Sequence, residues 1–486
     1  MATIGATPTT ASVPQAQVDK QKPVNGLHRT LKLLYVYTLA TGAIFTFMCY
    51  WDGIFMSYCG PATFLGFALM TLMVLPIGFV YSELSTMLPS TGSCLVFNTV
   101  GINKHAGFWS AWLIMCAWLA VPAAGVLGIL DWLDFQFLGN SLGDSTQVLI
   151  GAAVLCIWCV ISLGKNVVAG RLQTVMLFTA IGGVMVTALL LFFSGHWSLA
   201  NFSNFFANTN AADYGLGIGW VIGCAYLITP YFGFECVPAM VEEGNFPIKE
   251  QKKAILGSVV TCGVVYSVFY LALAGCMDWS TYAFDGSPFI TFQTLLAIFG
   301  NGGWVQAFIV FVGITGVVMP IFTSVLGFWY SGVRMMYAMG RQNFLPKVFS
   351  KCNRWGQPIL PNILILGISI GFLAMSSIRA FFDLMAFACA ICYAISSISA
   401  LRLERNHPEW PRPYKCGHGL KVASLAISIA VAGFCLIGVG TATWIGFIGY
   451  MAVGAALWVA MIVFKWRGAG EDSHVWMSTP EGNLQY

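Results

Sequence analysis

Charge is what this sequence has least of. Only 9% of its 486 residues are Asp, Glu, Lys or Arg, against roughly a quarter in soluble domains. That scarcity excludes a water-facing surface of ordinary size, because 58% of the chain is hydrophobic and the solvent for such a chain is lipid. Histidine is sparse as well: His28, His105, His196, His407, His418 and His474 each sit alone in a loop or tail. This argues against a membrane enzyme, which needs His and acidic groups clustered at ligand spacing. The 15 cysteines are scattered, many inside apolar runs such as Cys156 and Cys159, and read as free thiols packed like small apolar residues. No apolar run occurs in residues 1–30, rich in Ala, Thr, Pro, Gln and Lys; this is a mobile tail rather than a cleavable signal.

What is present is a series of apolar stretches, each near the roughly 20 helical residues that a hydrocarbon core of about 30 Å demands. They fall near residues 33–56, 61–82, 106–130, 147–164, 172–194, 216–240, 254–277, 304–338, 360–378, 382–402, 422–442 and 444–465. That predicts an all-α membrane protein of twelve spans, with a tight turn at Gly438 to Thr443 between the last two. When the loops are assigned alternately to two sides, every one of the 23 Lys and Arg residues except Arg379 falls on the side of the N-terminus. The positive-inside rule makes that side cytoplasmic, with both termini inside a plasma or inner membrane. The opposite loops carry Asp131, Asp134, Asp144, Asp213, Asp278 and Asp285.

Lipid tolerates bare backbone at mid-membrane only where it lines a cavity enclosed by protein. Two spans carry signs of such an interruption. Thr41, Gly42, Ala43, Ile44, Phe45 and Thr46 lie about ten residues into the first, near mid-bilayer at about 1.5 Å per residue. Thr229, Pro230 and Gly233 sit similarly in the sixth; Pro230 cannot donate to the helical ladder and Gly233 accepts unusual dihedrals. A single kink is ordinary in membrane helices. Two at corresponding places in oppositely oriented five-helix halves suggest an inverted repeat with a solute site at its interface.

Four stretches then carry a resemblance. They are GPATFLGF from Gly60 with YSELSTMLPSTGS from Tyr81, YFGFECVPAMVEEGNFP from Tyr231, SGVRMMYAMGRQNFLPKVFSKCNRWGQP from Ser331, and LRLERNHPEWPRPYKC from Leu401. Their motifs, order and loop positions resemble the amino acid-polyamine-organocation permeases, from about Leu31 to about Lys421. The resemblance implies two inverted five-helix repeats (31–200 and 213–405) with broken helices 1 and 6, and two peripheral helices (420–466), within a transporter domain of 31–468. Residues 469–486 form a cytoplasmic tail. It also implies alternating access and amino acids, amines or related cations as substrates. The first segment, TGAIFTFMCYWDGIF from Thr41, departs from the glycine-rich stretch common in the family, which favours a solute without a conventional alpha-carboxylate. Some relatives place a protonatable Lys in span five, where this chain reads FTAIGG from Phe178. Others bond a heavy chain through an outer-loop cysteine after span three; no cysteine lies between Asp131 and Gln147, so no such linkage is expected.

The candidate substrate ligands are Thr41, Gly42, Ala43, Ile44 and Thr46 in the first interruption and Thr229, Pro230, Tyr231 and Gly233 in the second. Free amides there can meet an anionic group and free carbonyls an ammonium. Asp52 either draws a cationic solute or is a solvated residue at the helix mouth, and Trp51 beside it either closes over an amine or belongs to an interfacial belt. Glu235 is a candidate for proton coupling or for holding the inner half-helix, and Glu83 for a gate. Trp112, Cys116, Trp118, Ser324 and Tyr393 line a cavity or simply pack. No cofactor or metal is expected; the coupling ion, proton or sodium, stays open, as does plain exchange. The leading function is secondary transport of an amine or amino-acid-like solute across the bilayer. A neutral amino acid permease and a solute sensor without turnover are the alternatives.

Overall fold

The computed structural model describes residues 26–46, 48–277, 289–374, 378–437 and 441–465, with the backbone alone at 375–384 and 442–443 wherever these fall inside it. The last part of the expected N-terminal tail is packed instead of mobile, with Leu27 buried and the Thr30 amide bonded to the Glu243 carbonyl; the rest of that tail (1–25), the C-terminal tail, Gly438, Asp278 and Asp285 lie outside the described residues. Among them the architecture is helical, and pairing between extended segments is limited to isolated bridges, Leu31 with Gly244 and Cys352 with Pro358. Among the described residues, nine helices are long and apolar enough to cross a membrane. Shorter apolar helices cover Leu33–Ile44, Ile290–Phe299, Ile359–Leu373 and His418–Phe434.

The first span is interrupted as its sequence predicts. Helix α1 (Leu33–Ile44) stops at Phe45, whose ψ of 59° is not helical, and α2 runs over Asp52–Cys59. No proline sits between them, so the break is made by competing hydrogen bonds. The Thr46 hydroxyl turns back on the Ala43 carbonyl at 2.6 Å, and the Cys49 amide leaves the ladder to reach the Gly316 carbonyl at 3.1 Å, an alternative that a helix interior does not offer. After α2 the chain reverses at Gly60, where φ is 57°. The Thr63 hydroxyl at the start of α3 (Thr63–Met87) thereby lies 3.3 Å from the Phe55 carbonyl, a pair that a straight helix would hold about 12 Å apart.

Short α4 (Cys94–Gly101) leads to α5 (Lys104–Leu133), α6 (Asp144–Ser162) and α7 (Asn166–Phe192). The sixth span is then interrupted in turn: α8 (Ala211–Tyr226), a tight turn at Thr229–Tyr231, extended Phe232, and the single-turn α9 (Cys236–Ala239). Beyond it come α10 (Gln251–Cys276), α11 (Ile290–Phe299), α12 (Gly303–Gly313) and α13 (Met319–Arg341), the last two joined through a π-helical turn at Ile314–Val318. Helices α14 (Ile359–Leu373), α15 (Ile378–Asn406), α16 (His418–Phe434) and α17 (Thr441–Phe464) complete the fold.

Burial separates an inner set from an outer one. In the stretch Lys104–Leu138, 94% of the most apolar window is buried inside the protein, against 17% in Trp444–Phe464. Helix α5 is thus a central post, while α17 turns most of its apolar surface outward, as a lipid-facing helix does. Helix α1 is enclosed by α7, α10 and α13.

Candidate functional site

Breaking α1 leaves its last carbonyls without helical partners. Each is met by a side chain from a neighbouring helix. The Ile44 carbonyl accepts from the Tyr266 hydroxyl at 2.9 Å and the Met48 carbonyl from Tyr270 at 3.0 Å, both on α10. From α13, Thr323 reaches the Gly42 carbonyl and Ser324 the Ala43 carbonyl, both at 3.4 Å, and Ser324 also accepts from Thr46 at 2.7 Å. The Thr41 hydroxyl bonds within α1, to the Tyr37 carbonyl. Gly42 is demanded by crowding: a Cβ there would stand 2.7 Å from that of Thr323 and closer still to the Gln173 amide.

The second interruption abuts the first. Gly233 has φ of 139°, and a Cβ on it would lie 2.7 Å from that of Ala43 and 2.8 Å from the Ile44 amide. Both requirements, left-handed backbone and close approach, are ones only glycine meets. Two residues on, the Glu235 carboxylate accepts from the Gly233 amide at 2.8 Å and from the Trp118 indole at 3.4 Å, with the Tyr393 hydroxyl beside it. The buried thiols of Cys94, Cys236 and Cys389 surround this carboxylate, and Cys116 adjoins Cys389. Tyr231 turns the other way, donating to the Phe67 carbonyl at 2.8 Å and sharing a bond with Thr71. Pro230 is buried and Thr229 half-buried.

The structure therefore brings Thr41, Gly42, Ala43, Ile44, Thr46, Gly233 and Ser324 to one junction, with Glu235, Trp118 and Tyr393 beside it; Cys116 is buried near Cys389 and has no part in these contacts. Other predicted residues lie elsewhere. Trp112 stacks on Tyr450 of α17 at 4.7 Å and donates to its carbonyl. Glu83 pairs with Arg412 at 3.2 Å and Lys421 at 2.8 Å, at the end of the bundle that carries the Lys and Arg loops. Trp51 packs against Tyr50 and Phe55. Asp52 is wholly buried instead of solvated; its carboxylate accepts from the Ile290 and Thr291 amides and the Thr291 hydroxyl, so α11 covers it.

Four residues at the junction escaped the sequence reading, Thr323 of α13 among them. Tyr266 and Tyr270 look like any aromatics on an apolar helix; their spacing of four, which aligns both hydroxyls along one face, was the available signal. Gln173, a buried amide in span five, donates to the Thr38 and Thr323 carbonyls at 3.1 Å each, and its own carbonyl oxygen is buried with no partner among the described residues. An uncharged polar side chain in the middle of an apolar run was the clue there.

Two interrupted helices apposed inside a helical bundle are an arrangement known from membrane transporters. The amino acid permease family matches residues 31–465, and the chain belongs to that family and is an integral membrane protein. Among its relatives, the methylthioribose transporter of Bacillus subtilis strain 168 is 24% identical over 468 residues, spanning 92% of this chain and 96% of its own. The branched-chain amino acid permease BcaP of Lactococcus lactis subsp. cremoris strain MG1363 is 24% identical over 348 residues, 68% of this chain and 71% of that one. The permease of the same name from Bacillus subtilis strain 168 is 23% identical over 429 residues, with shares of 82% and 85%.

Proposed function

We propose that the protein is a secondary active transporter that moves a small neutral amino acid across a plasma or inner membrane by alternating access. In this reading twelve spans over 31–468 form two inverted repeats (31–200 and 213–405) and a peripheral pair (420–466), with both termini cytoplasmic. The observation that carries it is the contact of Gly233 with Ala43 and Ile44, which sets the non-helical turn of the sixth span against the broken end of α1 inside a bundle otherwise built of apolar helices. Such a junction supplies main-chain amides for a carboxylate and carbonyls for an ammonium. A neutral amino acid is favoured over an amine lacking a carboxylate because Asp52, the acid that would have drawn a cation, already holds four protein donors. The relatives named as branched-chain amino acid permeases point the same way.

The amine remains the second reading, on the strength of the α1 carbonyl end, whose helix dipole favours a cation. Glu235 is the residue we assign to proton coupling; sodium coupling and exchange are the rival modes. The test is uptake of labelled leucine, isoleucine and valine into proteoliposomes, with and without sodium and a pH gradient, with matched amines as competitors. Time-dependent uptake blocked by amino acids and indifferent to the amines is the expected result. Competition by the amines alone would reverse the substrate assignment, and binding without accumulation or exchange would make the protein a sensor. As a control on the site, Gly233→Val should abolish uptake, since its side chain would occupy the place of Ala43.

A further inference from the structure

Asp52 is the first residue of α2, and its carboxylate is used up by protein donors. One oxygen accepts from the Gly53 amide at 2.9 Å and the Ile290 amide at 3.1 Å; the other accepts from the Thr291 amide at 2.7 Å and the Thr291 hydroxyl at 2.6 Å. Ile290 and Thr291 open α11, and their amides are among those that a helix N-terminus cannot satisfy by itself. Capping residues usually belong to the helix they cap. Here the cap comes from another helix, and it comes from the residue that ends the interruption of the first span.

The residue just before α11 is under strain. Phe289 has φ of 69°, in the left-handed region that a bulky side chain avoids. Its ring sits 5.1 Å from Phe135 at the end of the third span and 5.5 Å from Tyr50 next to α2. One carboxylate and two aromatic contacts thus hold a strained segment over the end of the bundle remote from the Lys and Arg loops.

We propose that Asp52 is the latch of that end: bonded to Ile290 and Thr291, it keeps α11 seated and the path to the junction shut; released, it lets Phe289 relax and the path open. Asp52 is then a positioning residue that acts through α11, and not a ligand of the solute. The inference rests on the transporter reading, since a closed end matters only where ends open in turn.

A native thiol reports on the latch. Cys49 is wholly buried and lies beside Thr291 and Asp52, whereas Cys389 and Cys392 are buried on the Glu235 side of the junction. The full chain in vesicles is exposed, from the face remote from the Lys and Arg loops, to a charged membrane-impermeant methanethiosulfonate, and labelling at each cysteine is followed by peptide mass spectrometry. Asp52→Asn should speed labelling of Cys49 by about tenfold, and Thr291→Val, which keeps the amide but loses the hydroxyl, by about threefold, in keeping with a shifted two-state population. Cys389 and Cys392 should keep their wild-type rates.

Unchanged Cys49 labelling in both variants overturns the latch. So does a parallel rise at Cys389 and Cys392, which marks general loosening. If Asp52→Asn does not fold, Thr291→Val alone decides by the same criteria. The assay needs no substrate: absent uptake in the wild type alongside the expected labelling sinks the transporter reading, while intact uptake with unchanged labelling sinks only the latch.

Discussion

The two ends of the bundle are closed by different chemistry. At the end with the Lys and Arg loops, Arg334 and Glu243 form a two-pronged pair at 2.8 and 2.9 Å, both side chains fully buried, with Gln357 and Asn166 also accepting from Nη2, the Tyr330 ring 4.1 Å from the guanidinium, and Nη1 without a hydrogen-bond partner among the described residues. Arg341 holds Glu242 at 2.7 Å, and Glu83 is shared by Arg412 and Lys421. At the other end the closure is aromatic, Phe289 against Phe135 and Tyr50, over one carboxylate that faces amides. Buried ion pairs offset their desolvation only through close geometry and additional hydrogen bonds. Closure of that kind is all or nothing: it opens when water enters with the charges. Aromatic contacts act over a short range, a gap of about 0.5–1 Å forfeiting a quarter to a half of the attraction, but each ring pair separates without exposing a charge, so the opposite end can yield one contact at a time.

Substitutions sharpen this contrast. The largest effect is expected at the ionic end, where Arg334→Ala leaves Glu243 buried without its partner and should cost about 3–5 kcal/mol, read as a fall in the thermal unfolding midpoint in detergent. Arg334→Lys should recover only part of that, because an ammonium cannot reproduce the fork. At the aromatic end Phe289→Ala should destabilise less than Arg334→Ala. Phe289→Gly should be milder than Phe289→Ala by about 1 kcal/mol, since glycine relieves the positive φ that alanine retains; equal midpoints for the two would mean that no strain is stored there. Smaller again is Tyr266→Phe, which removes one hydroxyl from the Ile44 carbonyl. It should cost about 1 kcal/mol, seen as a severalfold weaker apparent affinity in uptake. The exposed pair Glu250–Lys253 marks the bottom of the scale, because solvent screens it: Lys253→Met should leave the midpoint unchanged.

Sequence alone went furthest where one residue type carries its own reason. Pro230 and Gly233 announce an interruption because neither suits a continuous helix, and Gly42 marks the other. Hydropathy located the apolar stretches, while it could not show that α14 and α16 are helices of only 15 and 17 residues. Asp52 shows why the rest was hidden. Its partners are two backbone amides and a threonine far along the chain, and amides have no signature in a sequence. A buried carboxylate and a solvated one read alike until the covering element is in place. Trp112 was equally ambiguous, since an indole that lines a cavity and one that stacks on Tyr450 follow the same helical spacing.

The backbone bridge between Leu31 and Gly244 bears on how the protein is made. The Thr30 and Leu31 amides both donate to the Glu243 carbonyl, and the Asn245 amide returns a bond to Leu31. The start of the first span is thus completed by a strip of chain that leaves the ribosome about 200 residues later, which at about 5–20 residues per second is a delay on the order of 10–40 s. Through that interval the nascent first span has to wait in the bilayer without its permanent neighbour, and a chain terminated before Gly244 would present the insertion machinery with a segment whose docking edge never arrives.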